Sequence, residues 1–137
     1  MGVTSRTGIL LALCMLAGST MADVELIRID LSGGCPPAVS DDEPRDNGRC
    51  AGENACRRGG ENVRWEVVGA ESQQFSVNFP DASLFANWNQ GLCRATSGNA
   101  ERIQCRIRPD APVDAEYPYD VTVASCPPFD PKIIINR

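Results

Sequence analysis

The C-terminal run 117–137 restricts the possible fold more than any other part of the sequence. From residue 117 to residue 123, aromatic or apolar side chains occupy every second position, which is the period of a half-buried β-strand. Pro127, Pro128 and Pro131 then exclude a helix and force the chain into a stiff corner. Residues 133–135 are all isoleucine, a β-branched residue suited to a covered strand. This ending therefore predicts two strands joined by a proline-rich corner.

The same two-residue period recurs upstream and predicts an all-β fold. The predicted strands are 24–31, 62–69, 74–79, 92–95, 102–108, 117–123 and 133–135. The segment 82–88 is ambiguous between a single helical turn and a loop that covers the core. About seven short strands without a long helix favour an antiparallel β-sandwich of immunoglobulin-like or cupredoxin-like shape over a barrel.

Several of these strands resemble those of small exported bacterial β-sandwich proteins of unknown function. The resemblance is carried by Trp65, the Phe75-x-Val77-x-Phe79 strand, the Tyr117-x-Tyr119-x-Val121-x-Val123 strand and the ending 130–135. It spans residues 62–137 and implies a fold but no activity. The spacing Cys50…Trp65…Cys105 also resembles an immunoglobulin core, but Ile103 stands where that family places the tyrosine of its corner.

The N-terminus predicts export. A basic residue precedes the apolar segment 9–17, and Thr20 and Ala22 supply the small residues that signal peptidase recognises. We expect residues 1–22 to be a cleavable signal peptide and residues 23–137 to be a single domain. The apolar segment is shorter than the roughly 20 residues that a transmembrane helix needs. The mature protein is therefore expected in the periplasm or the extracellular medium, without a transmembrane anchor.

Cysteine usage agrees with export to an oxidising compartment. Six cysteines lie beyond the predicted signal peptide, an even number that suggests three disulfides. Six cysteines allow about 15 connectivities. The preferred pairing places one bond around a short loop, one across a hairpin and one between the two Cys-Pro-Pro corners of the chain. These bonds are Cys50–Cys56, Cys93–Cys105 and Cys35–Cys126.

Residues 32–61 are predicted to form a long polar loop, because they contain almost no aliphatic side chain and much Gly, Pro, Asp and Arg. Loops of this length are usually either functional or poorly ordered, and three cysteines suggest that this one is pinned. We therefore expect function here rather than in the C-terminal run. An acidic cluster in the loop could bind calcium, but it departs from the EF-hand template and solvated charge is the simpler interpretation. The cluster consists of Asp41, Asp42, Glu43 and Asp46.

The composition excludes several activities. The chain has no histidine, whereas blue-copper sites, Ser-His-Asp triads and Cys-His pairs all require it. Catalytic zinc is usually held by histidine, and disulfides leave no thiolates for an all-cysteine zinc site. A net charge of −5 argues against nonspecific nucleic-acid binding. We expect no metal, no cofactor, no nucleic-acid partner and no enzymatic activity.

Arginines and one tryptophan are the candidate binding residues. Arg102, Arg106 and Arg108 follow the outward positions of a predicted strand and could contact an anionic polymer, a lipid head group or an acidic protein. Charges that protect an outward strand face from aggregation explain the same pattern. Trp88 could stack on a carbohydrate if it were exposed, although burial of its large apolar ring is the simpler expectation.

Three hypotheses on function follow. The favoured one is an exported, non-enzymatic binding or structural module, whose partner is an envelope or extracellular protein or a polysaccharide. The first alternative is a secreted protease inhibitor, because the Cys50–Cys56 loop is flanked by Arg49 and Arg57, and a stapled loop could present a basic residue to a trypsin-like pocket. Arg58, which follows Arg57, is a further candidate binding residue. The second alternative is a carboxylate-dependent hydrolase of cell-wall or polysaccharide substrates.

Overall fold

The computed structural model describes residues 24–41, 50, 52–69, 73–97, 102–123 and 126–137. Within these residues the regular structure consists of β-strands and one short 3-10 turn, Ala82–Leu84, which confirms the predicted all-β class. The predicted signal peptide lies outside the described residues. No helix in the described part of the chain is long and apolar enough to span a bilayer.

Nine strands follow one another through the described residues. They are β1 (Val24–Asp30), β2 (Ala38–Asp41), β3 (Ala55–Arg58), β4 (Asn62–Val68), β5 (Phe75–Asn78), β6 (Arg102–Arg106), β7 (Glu116–Pro118), β8 (Asp120–Val123) and β9 (Lys132–Asn136). Each strongly alternating segment forms a strand, as the two-residue period predicts. The weaker prediction at 92–95 is wrong: this segment forms no strand but contacts neighbouring strands through single backbone hydrogen bonds of Leu92 and Ala95, and it makes an isolated bridge at Cys93.

The long polar loop predicted at 32–61 contains two of these strands, β2 and β3. Both are only four residues long and neither alternates between apolar and polar residues in sequence. They form because neighbouring strands offer them backbone hydrogen bonds: β2 pairs with β1, and β3 pairs with β9. Residues 38–41 and 55–58 are therefore part of the sheets, whereas residues 42–49 and 51 lie outside the described residues.

The sheets are mixed, which corrects the purely antiparallel prediction. The first sheet has the order β2-β1-β4-β6, in which β1 and β4 are parallel and the other neighbours are antiparallel. In the second sheet, β3-β9-β7, the β3 and β9 strands are parallel. The third sheet is the antiparallel pair β5-β8. The chain returns from β1 to β4 by way of β2 and β3, and only such a long crossover permits a parallel neighbour. These sheets do not make a clear two-layer sandwich.

The second and third sheets meet at Tyr119. Only this residue separates β7 from β8, and its N–H donates to the carbonyl of Pro131 over 3.0 Å. Val121 and Phe129 then exchange two backbone hydrogen bonds of 2.8 and 3.2 Å. Residues 116–123 thus run beside residues 129–136 on either side of a proline-rich corner, and this confirms the prediction for the end of the chain.

The core is built from the inward positions of all three sheets and contains an aromatic cluster. The indole Nε1 of Trp65 donates to the hydroxyl of Tyr119 over 3.1 Å, and both residues are almost completely buried. Edge-to-face and stacked contacts with ring centroids 4.6 to 6.0 Å apart join the cluster. Its members are Trp65, Phe79, Phe85, Trp88 and Tyr119.

The three disulfides pair as predicted, as Cys35–Cys126, Cys50–Cys56 and Cys93–Cys105. The first joins the turn after β1 to the corner before β9, across 91 residues of sequence. The last ties the loop before β6 to the inward face of that strand, where both sulfurs are buried. Each bond stabilises the fold by roughly 2–4 kcal/mol, mainly by restricting the unfolded chain.

Candidate functional site

Four arginines occupy one face of the first sheet, and we call this surface the outer arginine face. Arg28 lies on β1, Arg64 on β4, and Arg102 and Arg106 on β6. All four point outward because the positions between them in each strand are buried apolar residues, and successive side chains in a strand face opposite ways. Strand order therefore collects positive charge that is scattered along the sequence.

Strand register sets the layout of this face. Arg28 on β1 lies beside Glu66 on β4, and Glu66 lies beside Arg102 on β6, so the three occupy one row across the sheet. Arg64 occupies the next row, beside Gln104. Its Nε donates to Gln104 Oε1 over 3.0 Å, and its Nη1 lies 3.4 Å from Glu66 Oε1. Arg64 is therefore held in place at the centre of the face.

The two β6 arginines differ from Arg64. Arg102 and Arg106 are exposed, and their side chains make no hydrogen bond or ion pair with any other described residue. The backbone of Arg106 is held from the outer edge of the strand by the loop before β6: Asn87 Oδ1 accepts from the Arg106 N–H over 2.8 Å, and the Arg106 carbonyl accepts from the Ala86 N–H over 2.9 Å. Arg102 is the first residue of β6 and pairs with Glu66 of β4. Both arginines lie on the ordered strand, and their guanidinium groups have no partner among the described residues.

The outer arginine face is positive although the protein is acidic. Its outward positions hold four arginines against two carboxylates, Asp30 and Glu66, whereas the whole chain carries a net charge of −5. Ser32 donates to Asp30 from its side chain and its backbone N–H, which lowers the pKa of that carboxyl and keeps it ionised. A local positive region on an acidic molecule attracts anions to that place only.

The other arginines predicted as binding residues lie elsewhere. Arg108 lies beyond the end of β6, where its Nε is 3.2 Å from a carboxylate oxygen of Asp110. Arg58 is exposed on β3, in a different sheet from the outer arginine face. Arg49 lies outside the described residues. Of the three arginines predicted on one strand face, only Arg102 and Arg106 belong to the outer arginine face, and the structure adds Arg28 and Arg64.

Arg57, which was predicted to lie on a surface loop, is completely buried. Its Nη1 and Nη2 donate to the two carboxylate oxygens of Asp41 over 2.7 and 2.9 Å, and Nη1 also donates to the carbonyl of Cys56 over 2.8 Å. The guanidinium group is thus committed to the protein interior and is not presented to a protease pocket. The inhibitor hypothesis now depends on Arg49 alone.

The acidic cluster is only partly within the described residues, since Asp42, Glu43 and Asp46 lie outside them. Asp41 is described and is committed to the buried pair with Arg57. Among the described residues, no group of three or more cysteine or carboxylate side chains is placed to hold a metal ion. The calcium hypothesis therefore has no donor set on which to build in the described structure.

Trp88, the candidate platform for carbohydrate stacking, belongs to the aromatic cluster. Its ring stacks on Phe85 with centroids 5.6 Å apart and meets the edge of Phe79 at 5.9 Å. Phe85 in turn contacts Trp65, whose side chain faces inward from β4. Trp88 is therefore half-buried on the core side of the first sheet, opposite the outer arginine face.

The sequence matches no protein-family model and no curated protein.

Proposed function

We propose that this protein is an exported, non-enzymatic binding module that uses the outer arginine face to hold an anionic macromolecule. The observation that carries this proposal is the alignment of Arg28, Arg64, Arg102 and Arg106 on one face of an otherwise acidic protein. Arginine binds carboxylate and sulfate groups with two parallel hydrogen bonds, so several arginines on one face suit an anionic partner.

Export is part of the proposal. Three disulfides, one of which has both cysteines almost fully buried, are typical of proteins that fold in an oxidising compartment such as the periplasm or the extracellular medium. The signal-peptide pattern of residues 1–22 supports the same location. We further propose a relation to the small exported bacterial β-sandwich proteins of immunoglobulin-like or cupredoxin-like shape, which is supported by the strands around Trp65, Phe75, Tyr119 and the Ile133–Ile135 ending.

A binding role is favoured over catalysis by the chemistry of the arginines themselves. Guanidinium groups stay protonated at physiological pH and cannot exchange protons with a substrate. The chain also has no histidine, the commonest general acid and base. The arginines of the outer face can therefore hold an anion but cannot supply acid or base catalysis.

The test is titration of the oxidised protein with a flexible polyanion by isothermal calorimetry. An exposed arginine–anion contact contributes about 0.5–1 kcal/mol, so the double variant Arg102→Gln/Arg106→Gln should bind roughly 5- to 30-fold more weakly. The matched control is Arg58→Gln/Arg137→Gln, which removes two exposed arginines at the second sheet, one on β3 and one just after β9, and should bind within about twofold of the wild type. Equal weakening in both variants would show that only total charge matters.

A further inference from the structure

We infer that the ligand of the outer arginine face is a linear acidic polysaccharide that lies along β6 and contacts Arg102 and Arg106 together. This inference rests on the proposed function and adds the chemical class of the ligand. It depends on three features of the face: the spacing of Arg102 and Arg106, its limited size, and the character of the side chains between the charges.

The spacing of the arginines favours a ligand with repeated negative charges. Arg102 and Arg106 are four positions apart on the same face of β6, so their Cα atoms are separated by roughly 13 Å. Arg28 lies two strands from Arg102 in the same row, which corresponds to about 10 Å. A single small anion could be held by two of these arginines only if both side chains bent toward it, whereas a polymer with an acidic group on each repeat can contact both β6 arginines with their side chains extended outward.

The size of the face argues against a folded protein partner. Four strands at a spacing of about 4.8 Å, with roughly six residues along each, cover only about 400 Å² in projection. Each partner in a stable protein complex usually contributes about 800 Å² of accessible surface, so a folded partner would have to extend beyond these four strands. Neither edge of β6 is open to an added strand, since β4 occupies one edge and the loop before β6 covers the other. A linear polymer needs only a line of contacts and is compatible with both constraints.

The side chains between the charges favour sugars over single-stranded nucleic acid. The outward positions of β1, β4 and β6 carry no aromatic residue, whereas proteins that bind single strands use aromatic rings on which bases stack. Gln104 accepts from Arg64 through Oε1, which leaves its amide N–H groups to donate to a hydroxyl. Asn62 offers a second neutral amide beside Arg106. Neutral amides between charges are suited to the hydroxyl groups of an acidic sugar polymer.

The experiment measures affinity against polymer length. Galacturonate oligomers of one, two, four and six units are titrated into the oxidised protein by calorimetry at low salt, with sulfated dextran oligomers as the arm that separates sulfate from carboxylate. We expect no binding of the monomer, and a rise of at least tenfold from the dimer to the hexamer as the chain becomes long enough to span both arginines. Arg102→Gln and Arg106→Gln, each made singly, should reduce hexamer binding to the level of the dimer, and Arg58→Gln should leave it unchanged.

Three outcomes would overturn the inference. They are affinity that does not depend on oligomer length, poly-glutamate binding as tight as that of the galacturonate hexamer, and equally tight binding of single-stranded DNA. If poly-glutamate or DNA binds and the Arg102→Gln/Arg106→Gln variant loses that binding, the function proposed above survives and only the polysaccharide is wrong. If no polyanion binds, both proposals fail. Circular dichroism and the thermal midpoint of each variant show that it is folded.

Discussion

The buried pair of Arg57 and Asp41 is the most consequential polar contact between the sheets. Arg57 lies on β3, an edge strand of the second sheet, and Asp41 lies on β2, an edge strand of the first. Their side chains are 0% and 8% exposed and meet through two hydrogen bonds of 2.7 and 2.9 Å. The pair therefore joins two short strands that have few apolar contacts of their own.

Removing one partner should cost far more than removing both. Arg57→Ala leaves the Asp41 carboxylate buried without its cation, which costs about 3–5 kcal/mol. Asp41→Asn leaves the guanidinium group of Arg57 buried without a carboxylate and should cost a similar amount. A domain of this size is stable by only about 5–15 kcal/mol, so either variant loses a large fraction of its stability. The double variant Arg57→Met/Asp41→Leu, which replaces the pair with apolar side chains, should lie within roughly 2 kcal/mol of the wild type.

The assay is urea unfolding of the oxidised protein, followed by the fluorescence of the buried indole of Trp65. With an m-value of about 1–3 kcal/mol per molar urea, a loss of 3–5 kcal/mol lowers the midpoint by roughly 2 M. Lys132→Gln is the control, because its ion pair with Glu116 is exposed and long at 3.7 Å and should contribute less than about 1 kcal/mol. The single variants Arg57→Met and Asp41→Leu complete a double-mutant cycle with the double variant. If their losses add to give the loss of the double variant, the side chains are not coupled and the argument is refuted.

Two further perturbations test the interior. Burial raises the pKa of the Tyr119 hydroxyl far above its ordinary value, so the folded protein keeps this proton above about pH 10 while the unfolded chain releases it. The contribution of this protonated hydroxyl to stability should therefore be present in full below about pH 10 and be lost as the pH rises beyond it. Urea midpoints should decline less with rising pH in Tyr119→Phe than in the wild type. An identical decline would contradict this assignment. In Gly59→Ala the new Cβ would lie 2.6 Å from the carbonyl oxygen of Pro109, so we expect a loss of about 1–3 kcal/mol in the same assay. Gly33→Ala, where nothing lies within 4 Å, is its control and should change stability by less than about 1 kcal/mol.

Local features of the sequence predict most of the strands, because the two-residue alternation of a half-buried strand depends only on neighbouring positions. The disulfide pairing was also within reach of sequence reasoning. A six-residue separation, a hairpin and two matching Cys-Pro-Pro corners each suggested one partner. No comparable local signal marks β3, because its sequence ACRR places an arginine where a core residue is expected.

The candidate site was predictable only in part. Alternation shows that Arg64 and Arg102 both point outward from their strands. It does not show that β4 and β6 are neighbours, or that parallel pairing brings β1 with Arg28 to the same face. The burial of Arg57 was equally hidden, because its partner Asp41 is 16 residues away and belongs to another sheet. The positions of all these charges depend on strand order, which is not a local property.

The amino-acid sequence alone indicates where the alternating strands form and which face of each is apolar, since both follow from side-chain periodicity, and short-range spacing favours two of the three disulfides. Tertiary structure decides which strands become neighbours, and therefore whether an arginine is buried or exposed. Arg57 and Arg58 are adjacent in sequence, yet one is committed to Asp41 in the interior and the other is exposed to solvent. A charge can enter the interior only where the fold brings an opposite charge to meet it.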